Sequence, residues 1–595
     1  MDALTGSAWL TLGLCAGVIG VLVSTRLTPD LVLMGALTVL SVAGVLTPAE
    51  ALGGFANEGL ITVAALFVVA AGMRDSGAVD LIVQRVLGEP RHYRLALARL
   101  MLPVLAISGF LNNTPVVATM IPAVLRWSRR IGFQPSKLLI PLSYASILGG
   151  TLTLIGTSTS LVVNGQYRAL TGEEGFTLFA LTPVALPVAL TAFLFFLLMA
   201  NRLLPERTSP SETFANPRAF TFEVAVAENG PVVGLTIEQA GLRNLKRMFL
   251  AEIERADTIL TAVGPGERLR GGDRLVFVGE TDAILDVLRI NGLVASSAES
   301  PVIERDAAER RLVEAVVSPA CEVLGSTIRD SGFRERYGAV VLAVNRGGEP
   351  IRGNLGSIRL RAGDVLLLEA RPAFLYRQRQ LRDFLLVNDT GERRPAHDRA
   401  PLAWVVLAAV VLAATTGLTS MLNASLLGAG AMILGRCVRP AAARRSLDLT
   451  VLVTIGASFA LGTALEVTGA AAWIGDGVRA LAGDRPWLLL VLSYLCVSVL
   501  TELVSNSAAA LIMLPVVLNA AAGTNLNPEP FVITTMMAAS ASFSTPLGYQ
   551  TNLMVFGPGG YRFGDFLRTG LAMNVLCAAV TLAVVPRIYP LLPAS

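Results

Sequence analysis

Apolar stretches of near membrane-spanning length recur at both ends of this chain and are missing from its middle. In the first block they lie near Ala8–Ser24, Leu31–Val45 and Leu60–Met73. Ala96–Phe110 and Val116–Trp127 follow with a polar break between them, and then Leu138–Val163 and Leu178–Met199. In the last block they lie near Leu402–Leu418, Met421–Leu434 and Leu449–Leu465, then the broken pair Trp487–Leu500 and Ala508–Asn519, then Phe531–Phe556 and Thr569–Ile588. Each block reads as three spans, a broken hairpin and two further spans. From about Leu204 to Asp398 the pattern is charged and alternating. Segments such as Arg274–Val278 and Val365–Leu368 follow a Gly-Asp turn and read as strands. The first apolar run has no basic segment ahead of it and is expected to remain as a transmembrane helix.

Both patterns are duplicated. MRDSGAVDLIVQRVLG from Met73 parallels LEVTGAAAWIGDGVRALAG from Leu465; SGFLNNTPVVA from Ser108 parallels TELVSNSAAAL from Thr501; IGTSTSLVV from Ile155 parallels LGYQTNLMV from Leu547. The offset stays at 392 or 393 residues. Within the insert, GLTIEQAGLRN from Gly234 matches GSTIRDSGFRERYG from Gly325, and LRGGDRLVFVGE from Leu269 matches LRAGDVLLLEA from Leu360, both 91 residues apart. The expected fold is a polytopic α-helical membrane protein with an inverted repeat of five spans plus one re-entrant hairpin in each half, interrupted by a pair of small α+β modules. The boundaries are 1–204 for the first repeat with its inner hairpin, 205–296 and 297–398 for the modules (joined near Ser296–Pro301), and 399–595 for the second repeat with its outer hairpin.

Charge supplies the orientation. With the N-terminus outside, the basic segments Arg74–Arg94, Arg126–Lys137, Arg436–Arg445 and Arg562–Arg568 fall inside, whereas Pro48–Glu58 and Ala520–Pro530 carry acids but no Lys or Arg. Arg168, Arg479 and Arg485 are exceptions. Both termini are then expected outside a bacterial inner membrane, with residues 205–398 in the cytoplasm. Composition agrees: 53% hydrophobic, only 15% charged and a mean hydropathy of +0.61, where a soluble chain carries about a quarter charged residues. A net charge of +4 makes no case for nucleic acid. Five scattered cysteines form no metal-ligand spacing and read as structural, and the two histidines, His92 and His397, lie in polar stretches and give little support to His-based catalysis or zinc. Gly264–Gly266 reads as a hairpin turn, not a phosphate cradle. No triad or nucleotide loop supports an enzyme.

The polar breaks carry the candidate chemistry. Ser108, Asn112, Asn113 and Thr114 form one tip, and Thr501, Ser505, Asn506 and Ser507 its counterpart. In each, a hydroxyl is followed four residues later by a polar pair, one helical turn along the same face. The breaks Gly156-Thr157-Ser158-Thr159-Ser160 and Gly548-Tyr549-Gln550-Thr551-Asn552 supply facing halves. Oxygens at such breaks suit Na⁺; N–H groups, hydroxyls and helix N-termini suit an anion. One such motif alone would read as a cap or a helix–helix bond, but four in duplicated pairs point to function. Glu502 could handle protons, and Glu466 is expected near the outer surface.

These NNT and SNS tips with their GT-type breaks resemble the divalent anion–sodium symporter family across both membrane blocks. The insert resembles a pair of RCK C-terminal (TrkA-C) domains, as found in sulfate-permease-like members. The resemblance implies Na⁺ at Ser108, Asn112, Asn113 and Gly156, and a second Na⁺ at Thr501, Ser505, Asn506 and Gly548. It also implies a substrate held by Asn113, Thr114, Thr157, Ser158, Asn506, Ser507 and Gln550, and elevator-type movement within a homodimer. Dicarboxylate members carry Pro-Pro after GT; Ser158-Thr159 and Gln550-Thr551 stand here instead, which resembles the sulfate branch. The expected function is sodium-coupled uptake of sulfate or a similar small divalent oxyanion, with a proton as the other candidate coupling ion, no organic cofactor, and a small regulatory ligand at the insert. A dicarboxylate symporter and a transporter-like sensor of anion availability are the alternatives. A K⁺ channel lacks its TVGYG filter.

Overall fold

Helices occupy the apolar blocks and strands the alternating middle. A computed structural model describes residues 4–592 apart from 26, 80–85, 208–220, 243–244, 246–247, 256–257, 262–265, 280–289, 296–310, 319–320, 347–348, 352–354, 371–382, 390–397, 484 and 547. The junction expected near Ser296–Pro301, most of the turn at Gly264–Gly266, and His397 lie outside the described residues. The chain divides into two units. One comprises Met1–Glu206, Arg394–Val555 and Phe563–Ser595; the other comprises Arg207–Arg393 together with Phe556–Arg562.

The first unit is helical, and its elements recur in order. Helices Tyr93–Ser108, Asn113–Ile131, Leu139–Gly150, Ser158–Thr171 and Thr182–Leu203 are followed, after the insert, by Pro486–Thr501, Asn506–Ala522, Glu529–Ser540, Gln550–Phe556 and Phe563–Ile588. Ahead of each set stand three apolar helices: Gly6–Ser24, Pro29–Val42 and Glu58–Asp75, then Ala400–Thr415, Met421–Leu434 and Leu449–Val467. The apolar runs Leu138–Val163 and Phe531–Phe556 are each split in two. Their middles, residues 151–157 and 541–549, concentrate Gly, Ser, Thr and Pro, which favour breaks over continued helix.

The two halves interlock. Glu58–Asp75 packs against Met421–Leu434, Pro29–Val42 against Leu449–Val467, and Thr182–Leu203 against Phe563–Ile588. By length and composition, Pro48–Asp75, Thr182–Leu203, Leu449–Val467 and Phe563–Ile588 can each cross a membrane. Thr182–Leu203 shows why water is the wrong solvent for its outer face. Val184, Val188 and Ala192 are buried, while Leu186, Leu190, Leu194 and Leu198 stand exposed at four-residue spacing. At its C-terminal end the buried Lys137 donates from Nζ to the carbonyl of Leu204 at 2.9 Å. This cation meets the negative end of the helix dipole.

The second unit holds two five-stranded antiparallel sheets of identical design. Strands β1 (Thr221–Val226), β2 (Met248–Arg255), β3 (Thr258–Thr261), β4 (Arg274–Gly279) and β5 (Leu293–Ala295) assemble in the order β3-β2-β4-β1-β5. Strands β6 (Arg311–Val317), β7 (Ala339–Arg346), β8 (Glu349–Pro350), β9 (Val365–Ala370) and β10 (Phe384–Asp389) give β8-β7-β9-β6-β10, the same order copy for copy. One ion pair is duplicated with them. Arg255 grips the buried Asp273 at 2.9 Å, and Arg346 grips the buried Asp364 at 2.7 Å, each with a second bond from Nη2. These are the Asp residues of the two Gly-Asp turns. Each also accepts the backbone N–H three residues earlier, Arg270 or Arg361. Cys321 is buried in the second sheet's core, where burial pushes its thiol pKa up, as a structural cysteine requires.

The copies differ in one useful respect. Arg255 also pairs with Glu267 at 3.0 Å, whereas the matching position in the second copy is Ile358. Asp364→Ala is therefore expected to destabilise its sheet by about 1–3 kcal/mol, and Asp273→Ala to cost less because Glu267 still pairs Arg255. Hydrogen exchange in β7 and β9 compared with β2 and β4 measures both; equal losses would contradict this reading.

Candidate functional site

A polar group in an apolar helix must find a partner, and the two hairpins solve that demand alike. Helix Tyr93–Ser108 stops at its hydroxyl residue, and Asn113 opens the next helix. Ser108 Oγ donates to Asn113 Oδ1 at 2.6 Å and lies 2.9 Å from Ser146 Oγ. Helix Pro486–Thr501 likewise stops at its hydroxyl residue, and Asn506 opens the next. Thr501 Oγ1 shares its proton between Asn506 Oδ1, at 2.9 Å, and the carbonyl of Ala539, at 2.8 Å. The expectation that the hydroxyl and the polar pair share one helical face is corrected here. The helix ends at the hydroxyl, so its partner is the fifth residue on, returned by the turn.

The expected sodium ligands come together unevenly. Ser108, Asn113 and Gly156 are neighbours: a Cβ on Gly156 would stand 2.8 Å from the Ser108 carbonyl and 2.5 Å from that of Gly150. Asn112 is the helix N-cap, its Oδ1 accepting the Thr114 N–H at 3.3 Å. In the second hairpin Thr501 and Asn506 are joined. Ser505 occupies the cap position with its hydroxyl buried and unpartnered among the described residues. Gly548 is met by side-chain ends: Ser542 Oγ, Thr545 Oγ1 and Glu502 Oε2.

Glu502 is held by three donors. Its Oε1 accepts from the Ser544 N–H at 3.1 Å and Asn574 Nδ2 at 3.0 Å, and its Oε2 from Thr545 Oγ1 at 2.9 Å. Glu466, by contrast, accepts from the Asn519 amide at 2.8 Å in an exposed setting away from the tips.

The expected anion ligands bridge the two halves. Thr114 Oγ1 donates to Gln550 Oε1 at 3.0 Å, and Asn113 Nδ2 to the Tyr549 hydroxyl at 2.5 Å. Thr159 Oγ1 lies 3.3 Å from Ser507 Oγ. Thr157 is buried, and Ser158 lines a crevice with Val63, Phe67, Leu111 and Asn112. Three helices of 19, 14 and 17 residues begin at these breaks, at Asn113, Ser158 and Asn506, so their unpaired N–H groups and positive dipole ends lie at the polar clusters. Thr551 and Asn552 instead belong to the scaffold: both are buried and accept the Ser143 hydroxyl, at 2.9 and 2.7 Å.

Tyr549, Ser143, Ser146 and Asn574 were not singled out from sequence. The serines and Asn574 carry a readable signal, as polar residues set in long apolar helices.

A family model described as a citrate transporter matches residues 19–536 and, in a second match, 479–594. The chain belongs to the citrate transporter family. Members of this family are transporters, not enzymes, and the mostly helical, apolar first unit suits a membrane protein. The chain is similar to a Chlamydomonas reinhardtii protein named "Putative sulfur deprivation response regulator", at 35% identity over 93% of this chain and 97% of the relative. It is similar to the "Uncharacterized transporter sll0640" of Synechocystis, at 33% identity over 94% and 93%. It also resembles "Sodium/sulfate cotransporter 2" of Chlamydomonas reinhardtii, at 26% identity over 89% and 84%. The resemblance to anion–sodium symporters is thus borne out at family level.

For this citrate transporter family member the two break glycines predict unequal damage. Gly156→Ala drives a methyl into two backbone carbonyls and is expected to cost about 1–3 kcal/mol, lost from thermal stability. Gly548→Ala meets rotatable side chains and is expected to cost less. Melting temperatures of the two purified variants test the order.

Proposed function

We propose that the chain is a sodium-coupled importer of sulfate or a similar small divalent oxyanion. The observation that carries this reading is the paired hydroxyl-to-asparagine bond, Ser108–Asn113 and Thr501–Asn506, set 393 residues apart at helix starts free of Lys and Arg. The sodium/sulfate name of a relative supports the choice of ions. Sodium occupies two sites, Ser108, Asn112, Asn113 and Gly156 in one, Thr501, Ser505, Asn506 and Gly548 in the other. The anion lies between them, held by Asn113, Thr114, Thr157, Ser158, Asn506, Ser507 and Gln550. With neutral donors only, a dianion is poorly held until Na⁺ offsets its charge, and that is the physical basis of coupling.

The remaining architecture follows from this reading. Repeats 1–204 and 399–595 are inverted, each with a re-entrant hairpin, and carry the substrate by elevator-type movement in a homodimer. Modules 205–296 and 297–398 are RCK C-terminal-like, cytoplasmic, and take a small regulatory ligand. The membrane is a bacterial inner membrane with both termini outside. A sensor that binds the anion without carrying it is a second reading, favoured by the name of the sulfur deprivation relative.

Uptake of labelled sulfate by reconstituted liposomes, with thiosulfate and succinate as competitors, tests the proposal. Sulfate is expected to enter only with Na⁺ present, and Asn113→Ala and Asn506→Ala to abolish entry while the protein stays folded. Equal uptake without Na⁺ removes the coupling; binding without uptake favours the sensor.

A further inference from the structure

We infer that Tyr549 is a substrate-binding and size-selecting residue of this site, an inference that rests on the anion-transport reading above. An amide N–H can only donate, so at 2.5 Å from Asn113 Nδ2 the phenol oxygen is the acceptor and its own hydrogen remains to be given. With Asn113 donating to the oxygen, and no acceptor for the phenol hydrogen among the described residues, that hydrogen is available to an anion oxygen. It lies beside the hairpin amide and the helix start expected to hold that anion.

The ring has a second consequence. Tyr549 belongs to the second half, yet its hydroxyl is tied to Asn113 of the first. Alongside it, Gln550 meets Thr114 at 3.0 Å. An aromatic ring fixed in this way reaches from the second break to the first tip. A compact tetrahedral oxyanion can bind at its hydroxyl end, whereas a dianion whose two carboxylates are separated by a carbon chain needs the volume the ring occupies. Tyr549 would therefore serve as donor and as filter, and two substitutions separate the roles.

Tyr549→Phe keeps the ring and removes the hydroxyl; Tyr549→Thr keeps a hydroxyl and removes the ring. Sodium-driven uptake of labelled sulfate is measured in liposomes with and without excess succinate, and folding is checked by thermal unfolding. The Phe variant is expected to raise the KM for sulfate about ten-fold and still exclude succinate, as loss of a hydrogen bond to a charged group predicts. The Thr variant is expected to let succinate compete. If Tyr549→Phe leaves the KM unchanged, the donor role is overturned, and this holds even if the Thr variant fails to fold. If a folded Thr variant still excludes succinate, the filter is overturned. If the wild-type protein does not carry sulfate, whether or not it binds it, the transport reading itself fails, a result distinct from both.

Discussion

A helix that begins inside an apolar protein leaves its first N–H groups without partners, and among the described residues helices do so at Asn113, Ser158, Asn506 and Gln550. The polar residues at the breaks answer that constraint. Asn112 caps its helix through its side chain; Ser505 does not. The remaining N–H groups and the positive dipole ends make a weakly anion-attracting environment without Lys or Arg. The low charge of the membrane blocks is thereby part of the chemistry. On the proposed function, donors of this kind hold a dianion better when a cation is close, which links the anion to Na⁺.

The two halves share a layout but not a chemistry. Ser146 supports the first tip with a hydroxyl where Ala539 gives the second a backbone carbonyl. Gly109 in the first hairpin is matched by Glu502 in the second, with three donors around the carboxylate. The second tip therefore has a carboxyl group beside it where the first has a glycine.

Much of this was legible in the chain. Spacing of apolar runs located the helices, and the 392–393 and 91 residue offsets located the corresponding elements. The NNT and SNS tips were recognisable because Asn is costly in hydrocarbon unless it has work there. The rest depended on contacts that periodicity does not encode. Helix ends at Ser108 and Thr501 placed the paired residue at the fifth position, although the spacing suggested a continuous face. Arg255 and Arg346 lie 18 residues ahead of the aspartates they grip, with a strand return between. Tyr549 reads as an ordinary aromatic until the fold sets it 2.5 Å from Asn113, 436 residues away.

The proposed charge compensation between sodium and the oxyanion makes a reciprocal demand: each must tighten the other by the same factor. Equilibrium binding of ²²Na⁺ to the purified protein, titrated with and without saturating sulfate, measures it directly. A rise in Na⁺ affinity equal to the rise in sulfate affinity produced by Na⁺ is the expected result. Na⁺ binding that is indifferent to sulfate would contradict it.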